Sequence, residues 1–185
     1  MGLLDDLVTQ FPPIKSDTSH YEAVGRFITG FAGAESSVHL MARKLSGMSD
    51  PKARIILGGM KLSQLMTVVR QMLKLDPPSE DISSDIESCL AQLNLISKNR
   101  HKLAHRSTIF FDGNLLVSNW STAKSLGSWE HQVFDVPELC AMHSDCLRIC
   151  WRLHRIAMPE SECETVTLMG FLSEPWRYAP LVGKS

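Results

Sequence analysis

Between Leu139 and Ile156, apolar residues recur at alternating steps of three and four: Leu139, Met142, Cys146, Ile149, Leu153 and Ile156. That is the period of an α-helix, and it places all six on one face. A stripe of this kind has to be buried against other apolar surface, and three further segments offer one. From about Asp17–Ser19 to Leu45 the stripe is Val24, Phe27, Ile28, Phe31, Val38, Met41 and Leu45, closed by Ser46-Gly47. From Asp50-Pro51 to about Leu75 it is Ile55, Ile56, Leu62, Leu65, Met66, Val69, Met72 and Leu73, with Gly58-Gly59 inside it and Pro77-Pro78 as the stop. From Ser79 and the acidic pair Glu80-Asp81 it is Ile82, Ile86, Cys89, Leu90, Leu93, Ile96 and Leu103. Asp135 with Glu138 opens the last helix in near capping-box spacing, and Pro159 ends it.

Four long helices with one apolar face each predict a mainly α fold, a four-helix up-down bundle. The period breaks once. Thr108–Phe111 and Asn114–Val117 flank Asp112-Gly113, a two-residue hairpin signal, and a short third strand is expected at 132–134. The hairpin therefore lies between the third and fourth helices. The expected division is an N-terminal arm at 1–17 containing Pro12-Pro13, a helical domain at 18–157, and a C-terminal extension at 158–185 with one short helix near 164–172.

Composition narrows the function. A chain of 185 residues, 44% hydrophobic and 21% charged, fits one ordinary globular domain. Its net charge of -1 argues against coating nucleic acid through bulk positive charge, so any such contact needs a local patch. Met1–Asp6 lacks the basic region and apolar core of a signal peptide, and Asp6 stands where a myristoylation signal has Ser or Thr. No apolar run approaches the roughly 18 residues of a membrane span. Five cysteines, an odd number without an export signal, read as reduced thiols. The expected compartment is the cytoplasm, with no membrane contact.

The local patch is Ser97-Lys98-Asn99-Arg100-His101-Lys102-Leu103-Ala104-His105-Arg106, at the end of the third helix. No acidic residue lies between Glu87 and Asp112. Arg100 and His105 stand in Arg-x4-His spacing, a pairing suited to phosphate chemistry. Arg148…His154 nearly repeats that spacing inside the fourth helix, so position must separate the two. At a helix end, a five-residue offset is not expected to be splayed by helical geometry. Glu35 interrupts the first stripe between Phe31 and Val38. A carboxylate there is costly unless paired, and Arg100 or His105 is the expected partner if it is not reaching solvent at the stripe's edge.

No Gly-rich phosphate loop, nucleophile elbow or kinase motif occurs, and no cofactor is expected. His101 and His105 are spaced as zinc ligands on a helix, but the Glu of H-E-x-x-H and a third ligand are missing. His143, Cys146, Cys150 and His154 fall within one arc of the fourth helix, which rarely completes a tetrahedral site alone. No metal is expected. Trp120 and Trp129, after the hairpin, are base-stacking candidates; Trp151 and Trp176 read as packing residues.

A helical bundle whose third helix ends in Arg100-His101-Lys102-Leu103-Ala104-His105 resembles the HEPN superfamily, over about residues 18–157. The resemblance implies metal-independent endoribonuclease activity, or RNA or nucleotide binding without cleavage. It implies catalytic roles for Arg100, His105 and His101, orienting roles for Glu35 and Asn99, and RNA-backbone contacts from Lys98, Lys102 and Arg106. His105 would act as base or acid near neutral pH, and Arg100 would hold the non-bridging oxygens. It further implies a homodimer with a shared cleft and, in a toxin–antitoxin setting, an antitoxin-like partner. The alternative is a non-catalytic bundle serving dimerisation or partner binding, with the basic helix end stabilised by the helix dipole alone.

Overall fold

The computed structural model describes residues 18–111, 114–125, 128–159 and 166–180. The N-terminal arm, the Asp112-Gly113 turn and the start of the short helix expected near 164 lie outside the described residues. The chain is mainly helical with a small antiparallel sheet: α1 (Thr18–Ser46), α2 (Asp50–Leu57), α3 (Leu62–Leu75), α4 (Glu80–His105), β1 (Ser107–Phe111), β2 (Asn114–Ser118), β3 (His131–Phe134), α5 (Val136–Ala157) and α6 (Val166–Ser173).

The stripes named above form the core. Phe27, Phe31, Val38 and Met41 of α1 are buried with Ile86, Cys89, Leu90, Leu93 and Ile96 of α4. From α5, Leu139, Met142, Cys146, Ile149 and Leu153 join them. The Asp135 side chain caps α5, accepting the Glu138 N–H at 2.7 Å. α1 packs mainly along α5. Ser37 Oγ lies 3.2 Å from Cys150 Sγ, and Gly30 lies against His143 and Cys146, so the two helices run in the same direction. A Cβ on Gly30 would come within 2.6 Å of His143 Nδ1, so this close seam requires the glycine. α4 runs opposite to α5: Asp85 pairs with Arg152, Gln92 with Asp145, and Asn99 reaches Met142. It also runs opposite to α3, where Arg70 meets Glu87 at 2.9 Å.

The second expected helix is corrected to two. α2 ends at Leu57, Gly58 and Gly59 form a turn, and α3 starts after Lys61. Two successive glycines each cost about 1 kcal/mol relative to alanine in a helix. A side chain at Gly58 would also strike the Arg54 carbonyl, at 2.4 Å from Cβ. The Gln64 side chain accepts the Lys61 N–H and so helps start α3. Ile55 and Ile56, expected in the core, are exposed, and α2 buries Ala53 and Leu57 instead.

The sheet order is β1-β2-β3, with Ile109 opposite Leu116 and Leu116 opposite Val133. Leu115, Val117 and Phe134 on the other face are buried in the core. Tyr178, in the C-terminal extension expected at 158–185, also belongs to that core.

Candidate functional site

α4 runs unbroken through His105. Arg106 then turns the chain into β1, with extended backbone angles and its N–H donating to the Lys102 carbonyl at 3.0 Å. Lys102 and His105 occupy the last turn, where the helix dipole favours cations. Since the helix includes both residues, the expectation of an unsplayed offset does not hold. At about 100° per residue, five residues leave Arg100 and His105 about 140° apart around the axis.

Their surroundings differ accordingly. Arg100 is half-buried against α1, its Cζ 5.7 Å from the Phe31 ring centroid, and its Nε is buried without a hydrogen-bond acceptor. His105 is exposed. It lies beside exposed His101, one turn back, with ring centroids 4.7 Å apart. The helix therefore brings His101 and His105 together and directs Arg100 to another face.

The remaining expected residues divide in the same way. Lys98 is exposed. Lys102 Nζ donates to Gln132 Oε1 at 2.7 Å, and Arg106 pairs with Glu130 at 2.9 Å, so both are engaged with β3 and the residue preceding it. Asn99 is buried in the core, where its Nδ2 donates to Tyr178 Oη at 2.6 Å and its Oδ1 accepts from Gln132 at 3.4 Å. It ties α4 to β3 and the C-terminal segment, and among the described residues its side chain makes no hydrogen bond to Arg100 or His105. Glu35 is half-buried, one turn beyond Phe31, and forms no ion pair or hydrogen bond among the described residues. The pairing with Arg100 or His105 is not formed. Among family models, curated proteins and solved structures, none matches this chain.

A second polar centre has no counterpart among the residues expected from the sequence. Asp145 and Arg148 on α5 are both completely buried and 2.9 Å apart. Asp145 also accepts from the Gln92 side chain and from the backbone N–H groups of Arg177 and Tyr178. Arg148 donates further to the Phe171 and Pro175 carbonyls and to Glu174. The centre anchors residues 171–178 to α4 and α5. Its only trace in the sequence is a charged pair three residues apart, Asp145 and Arg148, flanking Cys146 of the apolar stripe.

Among the described residues, no group of three or more His, Cys, Asp or Glu side chains is arranged to hold a metal. Burial pushes the Cys89 and Cys146 thiols up to about 12, which leaves both protonated and poor nucleophiles at neutral pH. No described helix is long and apolar enough to cross a membrane.

Proposed function

We propose that this protein is a HEPN-like RNA- or nucleotide-binding protein of the cytoplasm, acting as a homodimer, and that it cleaves RNA at the end of α4 without a metal. Its four-helix bundle would be built on α1, α3, α4 and α5, up-down only where α4 opposes α3 and α5, since α1 runs parallel to α5. The observation that carries this reading is the exposed His101–His105 pair on a helix end whose neighbouring guanidinium has a buried, unpaired N–H. In the reaction, the 2'-oxygen attacks phosphorus to form a cyclic phosphate, and the bond from phosphorus to the 5'-oxygen breaks. One imidazole accepts the 2'-hydroxyl proton and the other donates a proton to the leaving oxygen. The Arg100 guanidinium stabilises charge on the non-bridging oxygens, and Lys98, Lys102 and Arg106 attract the backbone.

Within one chain Arg100 and His105 face different ways. A second copy meeting the first across the α4 ends supplies the other half of the site. An antitoxin-like protein covering the same ends would hold the activity in check.

Purified protein incubated with mixed RNA in chelator tests this. Cleavage is expected from the wild type, with a rate loss of about 10²- to 10⁴-fold in Arg100→Ala and in His105→Ala at unchanged folding. Undiminished cleavage in either variant overturns the catalytic role of the side chain it removes.

A non-catalytic interaction protein is favoured by one observation. Ile55 is 83% exposed and Ile56 is 53% exposed on α2. If RNA is neither bound nor cleaved and an Ile55→Glu, Ile56→Glu variant loses self-association, that reading replaces the first.

A further inference from the structure

Trp120 and Trp129 lie in the segment between β2 and β3, nine residues apart in sequence, and both are more than half exposed. A single exposed aromatic side chain is ordinary, but two around one concavity form an apolar patch of the kind that marks a binding surface. With Ala123 and Ser125 they line an open pocket of about 420 Å³, within the roughly 300–1,000 Å³ of small-ligand sites.

The pocket is held in place from below. Ser118, at the end of β2, is buried, and its hydroxyl accepts both the Trp129 indole N–H at 2.7 Å and the Trp120 backbone N–H at 3.1 Å. The segment is closed by Asn119. Its backbone N–H donates to the Glu130 carbonyl, its side chain accepts the Glu130 N–H at 2.8 Å, and its Nδ2 donates to the Ser128 carbonyl at 3.0 Å. Both indoles are thus held at their bases by hydrogen bonds to Ser118 and Asn119.

The segment is fastened to the basic end of α4 on both sides. Glu130, next to Trp129, pairs with Arg106, while Ser121, next to Trp120, has its hydroxyl 3.1 Å from that of Ser107. Lys102 reaches Gln132 in β3, and the His131 ring lies 6.3 Å from that of Trp129. Lys124 is exposed within the same segment. Aromatic faces, a pocket of this size, exposed Lys124 in the same segment and Arg106 and Lys102 in contact with its end suit a planar ring that carries phosphate.

We infer that the Trp120–Trp129 pocket stacks a nucleobase of single-stranded RNA whose backbone continues over the basic end of α4. The inference rests on the RNA-binding reading of α4 for the phosphates, while the base contact belongs to the indoles alone. Stacking of this kind tolerates any base, so the pocket positions a strand and does not select its sequence.

The test is the affinity of the full chain for a fluorescein-labelled mixed-sequence oligoribonucleotide at low salt, alongside its sedimentation state. Trp120→Ala is expected to weaken binding by about tenfold or more. Trp120→Phe is expected to recover most of that loss, because an aromatic face remains. Trp129→Phe serves as the second variant, chosen because it leaves a ring over Ser118.

If Trp120→Ala binds as the wild type does while Arg100→Ala, Lys102→Ala binds poorly, the base pocket is overturned and the α4 reading survives. If Trp120→Ala loses affinity while the two Phe variants and the α4 variants do not, the pocket stands and the α4 reading falls. Absence of wild-type binding overturns both. A shift from dimer to monomer in Trp120→Ala with RNA affinity intact assigns the indoles to a protein interface and overturns the pocket.

Discussion

Arg100 and Arg148 sit on the antiparallel helices α4 and α5, each followed at short range by a histidine, and their surroundings could hardly be more different. Every nitrogen of the Arg148 guanidinium donates: Nε to the Phe171 carbonyl, one terminal nitrogen to Asp145 and the Pro175 carbonyl, the other to Glu174. The Phe171 ring lies 4.8 Å from its Cζ. Arg100 has the Phe31 ring against it and no acceptor for its buried Nε. An arginine whose donors are all used, out of water, is a structural pin. One with a buried donor left unused, on a different face of its helix from the exposed imidazoles, is open to a further acceptor. Spacing in the sequence ranks the two almost equally; their hydrogen bonds separate them.

The sharpest way to break this contrast is to remove the carboxylate beside Arg148. Asp145→Ala leaves a buried guanidinium and two backbone N–H groups without their partner, and should lower stability by about 3–5 kcal/mol in urea unfolding. A loss below about 1 kcal/mol would mean that the centre is not holding the C-terminal segment.

Arg100→Met keeps the aliphatic stem against Phe31 and removes the charge. It should change stability by less than about 1 kcal/mol in the same measurement, in keeping with a cation–π contact that is only half-buried. A cost as large as that of Asp145→Ala would make Arg100 a second pin and remove the contrast.

An intermediate case lies on α5 itself. Burial against Gly30 lowers the His143 pKa from its ordinary 6.5, a hydrogen bond to the Arg26 backbone opposes the shift, and the Arg26 charge adds to it. The unfolded chain takes up this proton as pH falls through about 6.5 while the folded chain resists it. Stability should therefore decline as pH drops from 7 through 6.5, and level off below the folded pKa. His143→Gln should reduce that decline by a small amount, read as the difference in urea midpoints between pH 7.5 and pH 5.5. Equal declines in the two proteins would show that His143 titrates normally.

These pairs also show what a sequence discloses. The α5 stripe is legible because burial and helical period act on adjacent turns, and its first five members are fully buried. The Asp135 cap and the three short strands are legible for the same local reason. The Asp145–Arg148 centre is not. Its partners lie on α4, 53 residues from Asp145, and in the C-terminal segment, 23 to 33 residues downstream of the two residues, and a hydrogen bond over such separations leaves no pattern in the chain. The structural role of Asn99 is hidden likewise, because its partner Tyr178 is 79 residues away. At the site, the sequence locates the cations and histidines but not their directions. Those depend on where α4 stops, and it continues through His105.

Tyr178 brings a consequence in time. Asn99, Gln92 and Asp145 all reserve hydrogen bonds for Tyr178, and Asp145 reserves another for Arg177, among the last described residues of the chain. During synthesis α1 to α5 emerge before those partners exist, so Asp145 and Arg148 then have only each other and Gln92. The helices can collapse early, but the hydrogen bonds of Asp145 and Arg148 are completed only when residues 171–178 arrive, and apolar surface left uncovered until then is open to aggregation.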